Sequence, residues 1–152
     1  MKARFFPIAL AIASCAWSAD FSLAIGNPVA VALPNGIVKK DVGMAVRAEN
    51  CANPSQAQIS GVAEGIVKGV RRSVPLRLVP SATAGAFAVA HDWPQEGSWV
   101  LSLTGHCGSA TAGAIVPIGP SGFLRESSKF FPRAATAAEV DAVLTTLAGG
   151  AR

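Results

Sequence analysis

Short apolar runs separated by clusters of Asn, Pro, Gly and Ser set the rhythm of this chain. Val42, Met44, Val46 and Ala48 fall on one face of an extended segment, while Arg47 and Glu49 interleave with them. A period of two with one apolar face is the pattern of a strand covering a core. Arg72, Val74, Leu76 and Leu78 likewise alternate with Arg71, Ser73, Pro75 and Arg77, which directs Arg71 and Arg77 to solvent. Strands are expected over Val29 to Leu33, Val42 to Glu49, Ala57 to Ala63, Arg71 to Val79, Ala86 to Trp93, Ser98 to Thr104, Thr111 to Ile118 and Phe123 to Phe130. The turns between them are Pro34-Asn35-Gly36, Asn53-Pro54-Ser55, Pro94-Gln95-Glu96-Gly97 and Gly119-Pro120-Ser121-Gly122. Many short strands at this spacing predict an all-β, antiparallel sandwich of seven or eight strands.

Near the end the period changes. Thr136-Ala-Ala-Glu139 has the form of a capping box, and Val140, Val143, Leu144 and Leu147 recur at i, i+3, i+4 and i+7. These predict a short C-terminal α-helix over 136–148, stopped by Gly149-Gly150 and packed on the sandwich. A helix of three turns is marginal in water unless something covers its apolar stripe.

The beginning reads as an address. Lys2 and Arg4 precede Phe5 to Trp17, an apolar run of 13 residues interrupted only by small Ser14 and Cys15. Charged start, short apolar stretch and small-x-small ending form a secretory signal peptide. Ser22-Leu23-Ala24 meets the size rule, so the leader is read as 1–24 and the domain as 25–152. Cleavage after Ala19 is the alternative, with bulky Trp17 at the third position before it. A spanning helix needs about 20 apolar residues, so no transmembrane segment is expected in the mature chain. Ile12-Ala13-Ser14-Cys15 also resembles the bacterial lipobox, which implies cleavage before Cys15, its lipidation, and an outer-membrane-anchored lipoprotein.

Composition agrees with a packed, exported domain. Of 152 residues 51% are hydrophobic and 14% charged, with 15 Gly, 10 Pro and no Tyr, which excludes a disordered chain, a coiled coil and a helical bundle. Losing Lys2, Arg4 and Asp20 with the leader leaves 11 basic and 8 acidic residues, a mild +3. Periplasmic or secreted residence leaves no nucleic acid to meet, and the expected partner is a protein or envelope component. Lys68, Arg71 and Arg77 form a candidate anion-contact patch, against the alternative of a solvated strand face.

Of three cysteines, Cys15 belongs to the leader, and Cys51 and Cys107 remain as an even pair in an oxidising compartment, where a disulfide is expected. Closing a loop of about 57 residues removes unfolded-state entropy worth roughly 4 kcal/mol. No cofactor is implied. Weak metal candidates are His91 and His106, from which a periplasmic copper or other metal carrier is the alternative function. If Ala86 to Trp93 and Ser98 to Thr104 form a hairpin that stacks Trp93 on Trp99, the two histidines stand about 17 to 24 Å apart and cannot share an ion. Trp99-Val100-Leu101 followed by His106-Cys107 resembles the segment around the catalytic histidine of trypsin-like proteases. The 45 residues after Cys107 hold no Gly-x-Ser-x-Gly or comparable loop, so no catalytic residue is assigned and the chain is read as a nonenzyme.

Gly65, Gly69, Pro75-Leu76-x-Leu78, Gly85-x-Phe87-x-Val89, Trp93-Pro94 and Gly97-x-Trp99-x-Leu101 resemble the later strands of exported bacterial immunoglobulin-like domains of the YtkA-like or CopC-like kind. The likeness spans Glu64 to Thr104. It implies an immunoglobulin-like sandwich acting as a noncatalytic binding or accessory module of the periplasm or envelope. His91-Asp92 departs from the copper-ligand placement of the CopC-like family, so no ligand residue carries over.

Overall fold

A computed structural model describes residues 19–28, 31 and 42–150. The expected strand at Val29 to Leu33, its Pro34-Asn35-Gly36 turn and Cys15 lie outside the described residues, apart from Val31.

Among the described residues ten strands and one α-helix follow in order. They are β1 (Ser22–Gly26), β2 (Val42–Glu49), β3 (Gln58–Val67), β4 (Val70–Pro75), β5 (Leu78–Pro80), β6 (Ala86–Ala90), β7 (Ser98–Cys107), β8 (Ala110–Gly119), β9 (Gly122–Phe123), β10 (Lys129–Phe131) and α1 (Ala137–Gly150). One antiparallel sheet runs β1-β2-β6-β5 and the other β10-β8-β7-β3-β4, with β9 beside β8. Four strands facing a β3-β7-β8 trio is the immunoglobulin arrangement, with β4 as an eighth strand. Short β9 and β10 extend the second sheet where one continuous strand, Phe123 to Phe130, was expected; a helical turn at Arg125–Ser127 divides them.

Two other expectations fail for the same topological reason. Arg71 to Val79 is not one strand, because the chain passes between sheets at Leu76-Arg77. The Leu76 N–H donates to Gly61 in one sheet, and the Arg77 carbonyl accepts from Ala90 in the other. Pro75 and Pro80 lack the N–H that continued pairing at a sheet edge would use. Likewise β6 and β7 form no hairpin: β6 pairs with β2 and β5, β7 with β3 and β8. The Pro94–Gly97 segment crosses from sheet to sheet rather than turning within one.

The core lies between the sheets. Met44 and Val46 of β2 and Val89 of β6 meet Trp99, Leu101 and Leu103 of β7 and Val116 of β8. β3 supplies Gly61, Ala63 and Gly65 opposite Leu103, Leu101 and Trp99, so small side chains face large ones. A second cluster lies on the other side of the same sheet, where α1 lays Val140, Val143 and Leu144 on Val100 and Ile115. The capping box is formed: Glu139 N–H donates to Thr136 Oγ1 at 3.3 Å, and Thr136 N–H to the Glu139 carboxylate at 2.8 Å. The helix runs on through the expected stop to Gly150.

The first described strand starts at Ser22, ahead of Ile25, the expected first residue of the mature domain. β1 pairs with β2 from Ser22↔Glu49 to Gly26↔Ala45, and Phe21, Leu23 and Ile25 are all buried. A cut after Ala24 removes two core side chains worth roughly 1.5–3 kcal/mol each, a large part of a domain's 5–15 kcal/mol. Ser22 and Ala24, the small residues of the expected cleavage motif, alternate with core residues on this outer strand.

Cys51, just past β2, and Cys107, the last residue of β7, are joined across one end of the sandwich with Cα atoms 5.7 Å apart. The Cys51→Ala/Cys107→Ala double variant is expected to lose about 4 kcal/mol of unfolding free energy in urea melts. A loss under 1 kcal/mol would contradict a constraining role. The helix start carries a pH dependence. Arg133, clamping the carboxylate at 2.7 and 2.9 Å, and then the Thr136 N–H hold Glu139 down from 4.5 to about 2. A folded pKa below the unfolded one stabilises fully above pH 4.5, and that contribution fades as pH falls toward 2. Helix signal in circular dichroism should decline over that window, and Glu139→Gln should flatten the decline.

Candidate functional site

At the end of the sandwich opposite the disulfide, the β6–β7 crossing, the β8–β9 hairpin and the C-terminal half of α1 frame an open groove of about 1250 Å³. Each wall has a local cause. The Gly119-Pro120-Ser121-Gly122 turn reverses the chain, with Gly122 at φ 129°, and brings Phe123 and Leu124 to one side. α1 supplies Val143, Thr146 and Leu147 to the other. Its seat is fixed by Val100 and Ile115 beneath and by Arg71, which reaches Asp141 at 2.6 Å and Glu64 at 3.0 Å.

The floor comes from the crossing. Trp99 lies over Gly65, where a Cβ would collide with the indole ring, and its Nε1–H donates to the Glu96 carbonyl at 2.9 Å. Trp93 stacks on His91 with ring centres 4.3 Å apart. Arg77 grips Asp92 through Nε at 3.2 Å and Nη2 at 3.0 Å, which holds the Asp92 carboxyl below its ordinary value and pins this loop to the β4–β5 crossover. His91 Nε2 is buried at the groove wall without a hydrogen-bond partner among the described residues.

The sequence candidates are scattered. His91 is in the groove, whereas His106 lies at the far end of β7 beside Cys107, its Nδ1 3.0 Å from Thr111 Oγ1. Seven residue steps along β7 lead from Trp99 to His106, roughly 23 Å. Among the described residues no three His, Cys, Asp or Glu side chains group to hold a metal ion. Lys68, Arg71 and Arg77 do not converge as free cations. Lys68 sits in the β3–β4 turn at φ 51°, its Nζ 3.5 Å from Glu96, while Arg71 and Arg77 have the carboxylate partners above. The two indoles are buried, so neither offers an open face to a sugar.

Sequence reading missed the residues that shape the groove. Leu124 and Leu147 sit on different elements whose meeting depends on tertiary packing; the glycines at 119 and 122 were the one local signal. Glu126 and Lys129, also in the lining, make no ion pair among the described residues, unlike Glu64, Asp92, Glu96, Glu139 and Asp141.

No family model, no curated protein and no solved structure matches the chain. No helix among the described residues is long and apolar enough to cross a membrane.

Gly65→Ala is expected to cost about 1–3 kcal/mol, because backbone and indole cannot both hold their places. Near-ultraviolet circular dichroism of Trp99 should change with it. Gly149→Ala, with nothing within 4 Å of the added carbon, should instead leave stability unchanged or raise it by up to about 1 kcal/mol.

Proposed function

We propose that the chain is an exported, noncatalytic binding module of the bacterial envelope, which holds a polypeptide segment of a partner in the groove between α1 and the β8–β9 hairpin. The groove carries the reading. It exceeds the 300–1,000 Å³ of ordinary small-molecule pockets and is open to solvent. Its walls are apolar at Ile118, Phe123, Leu124 and Leu147, while exposed Glu126 and Lys129 supply polar handles. Apolar contact area with a few polar groups is how protein segments are recognised. The leader-like beginning and the joined cysteines support residence in an oxidising compartment. The likeness of residues 64–104 to exported immunoglobulin-like domains supports an accessory role over a reaction.

Thr146 is exposed, lines the groove and donates only to the Ala142 carbonyl of its own helix. A photoreactive side chain placed there in the exported protein should capture a discrete envelope protein, while the same group at exposed Ser55, on the opposite end, should not. Thr146→Arg, which fills the groove without touching the core, should weaken that partner's binding at least tenfold, about 1.4 kcal/mol. Equal capture from both positions, or undiminished binding by the variant, would sink this assignment.

A further inference from the structure

The backbone becomes committed to the fold at Asp20. Asn50, held at φ 57° just past β2, donates its side-chain N–H to the Asp20 carbonyl at 3.1 Å. Phe21 and Leu23 follow into the core, nested over β7 at Gly105. A Cβ there would stand 2.6 Å from Leu23 Cδ2 and 3.2 Å from Phe21 Cζ, so β7 is shaped to receive them. Ala19, immediately before, is exposed. A processing cut that leaves a complete domain therefore falls before Asp20.

Signal peptidases require small side chains at the first and third positions before the bond. Upstream of Asp20 the triplet Ala16-Trp17-Ser18 meets that demand, with Trp17 in the unrestricted middle place. Cutting after Ala19 would put Trp17 in the third position. Cutting after Ala16 satisfies size, with Ser14 third, but falls inside the apolar run that ends at Trp17, the part of a leader that stays in the bilayer. Resting on the export reading, we propose that the leader is removed at the Ser18–Ala19 bond. Water adds across that peptide bond, leaving a carboxylate on Ser18 of the released leader and a free α-amine on Ala19. The mature chain then keeps every β1 pair and both buried side chains that a cut after Ala24 would discard.

The test is the N-terminus of the full chain expressed in a Gram-negative host, read by intact mass and N-terminal sequencing of the periplasmic fraction. A chain starting at Ala19 is expected. Ala16→Phe should raise the unprocessed fraction at least tenfold, and Ala24→Phe should leave processing unchanged. A periplasmic product starting at Ile25, or an Ala24→Phe block, overturns the assignment, as does any other start, including lipidated Cys15, while leaving export intact. An intact precursor confined to the cytoplasm overturns both the bond and the export reading.

Discussion

Strand β7 is buried on both faces, and much of the molecule follows from that constraint. Trp99, Leu101 and Leu103 point between the sheets; Val100, one residue out of phase, is equally inaccessible. An antiparallel sheet ordinarily leaves one face wet. Here Val100 and Ile115 make the outer face apolar, so something has to cover it, and α1 does so with Val140, Val143 and Leu144. The dependence is mutual, since a helix of this length gains most of its stability from tertiary packing. Arg71–Asp141 and Arg133–Glu139 at its margins are exposed pairs worth little each. They set where the helix lies more than how strongly it is held. Because α1 covers the central strands, its later turns, with Val143, Thr146 and Leu147, form one wall of the groove.

Complementary sizes on the inner face set the floor of the groove. Gly61, Ala63 and Gly65 of β3 leave room for Leu103, Leu101 and Trp99. With Trp99 seated over Gly65 and tied to the Glu96 carbonyl, the crossing between sheets has one path available, and His91 stacks on Trp93 along it. The Arg77–Asp92 clamp closes the path from the other sheet. Position in the groove is thus determined by packing already required for the core.

How much of this was legible in the residues depends on the range of the interaction. Strand β2 was read to its exact ends because Val42 to Ala48 alternate cleanly, and the helix start was read because Thr136 and Glu139 solve each other's hydrogen bonding within one turn. The joining of Cys51 to Cys107 followed from there being two cysteines beyond the leader. Strand partners were less accessible: β6 and β7, adjacent along the chain and separated by a good turn sequence, belong to different sheets. That choice is made by β3 and β8 flanking β7, which no local signal reports. Strand β1 was hidden for another reason. Alternating Phe21, Leu23 and Ile25 with small Ser22 and Ala24 makes an edge strand and also has the form of the end of a leader, so the sequence pattern alone did not report the strand.

The candidate site residues lie apart in the fold and take part in its own contacts. Lys68, Arg71 and Arg77 looked like a cationic surface when counted along a strand, yet each meets a carboxylate contributed from elsewhere: Glu96 from the crossing, Asp141 from the helix, Asp92 from the loop after β6. These are exposed pairs linking separate elements, each worth little on its own. The two histidines are divided by the length of β7 in the same way. Glu126, Lys129 and His91 Nε2, by contrast, stand in the groove lining without ion-pair or hydrogen-bond partners among the described residues. These polar groups, beside apolar walls that the core itself positions, are the observations on which the proposed binding role rests.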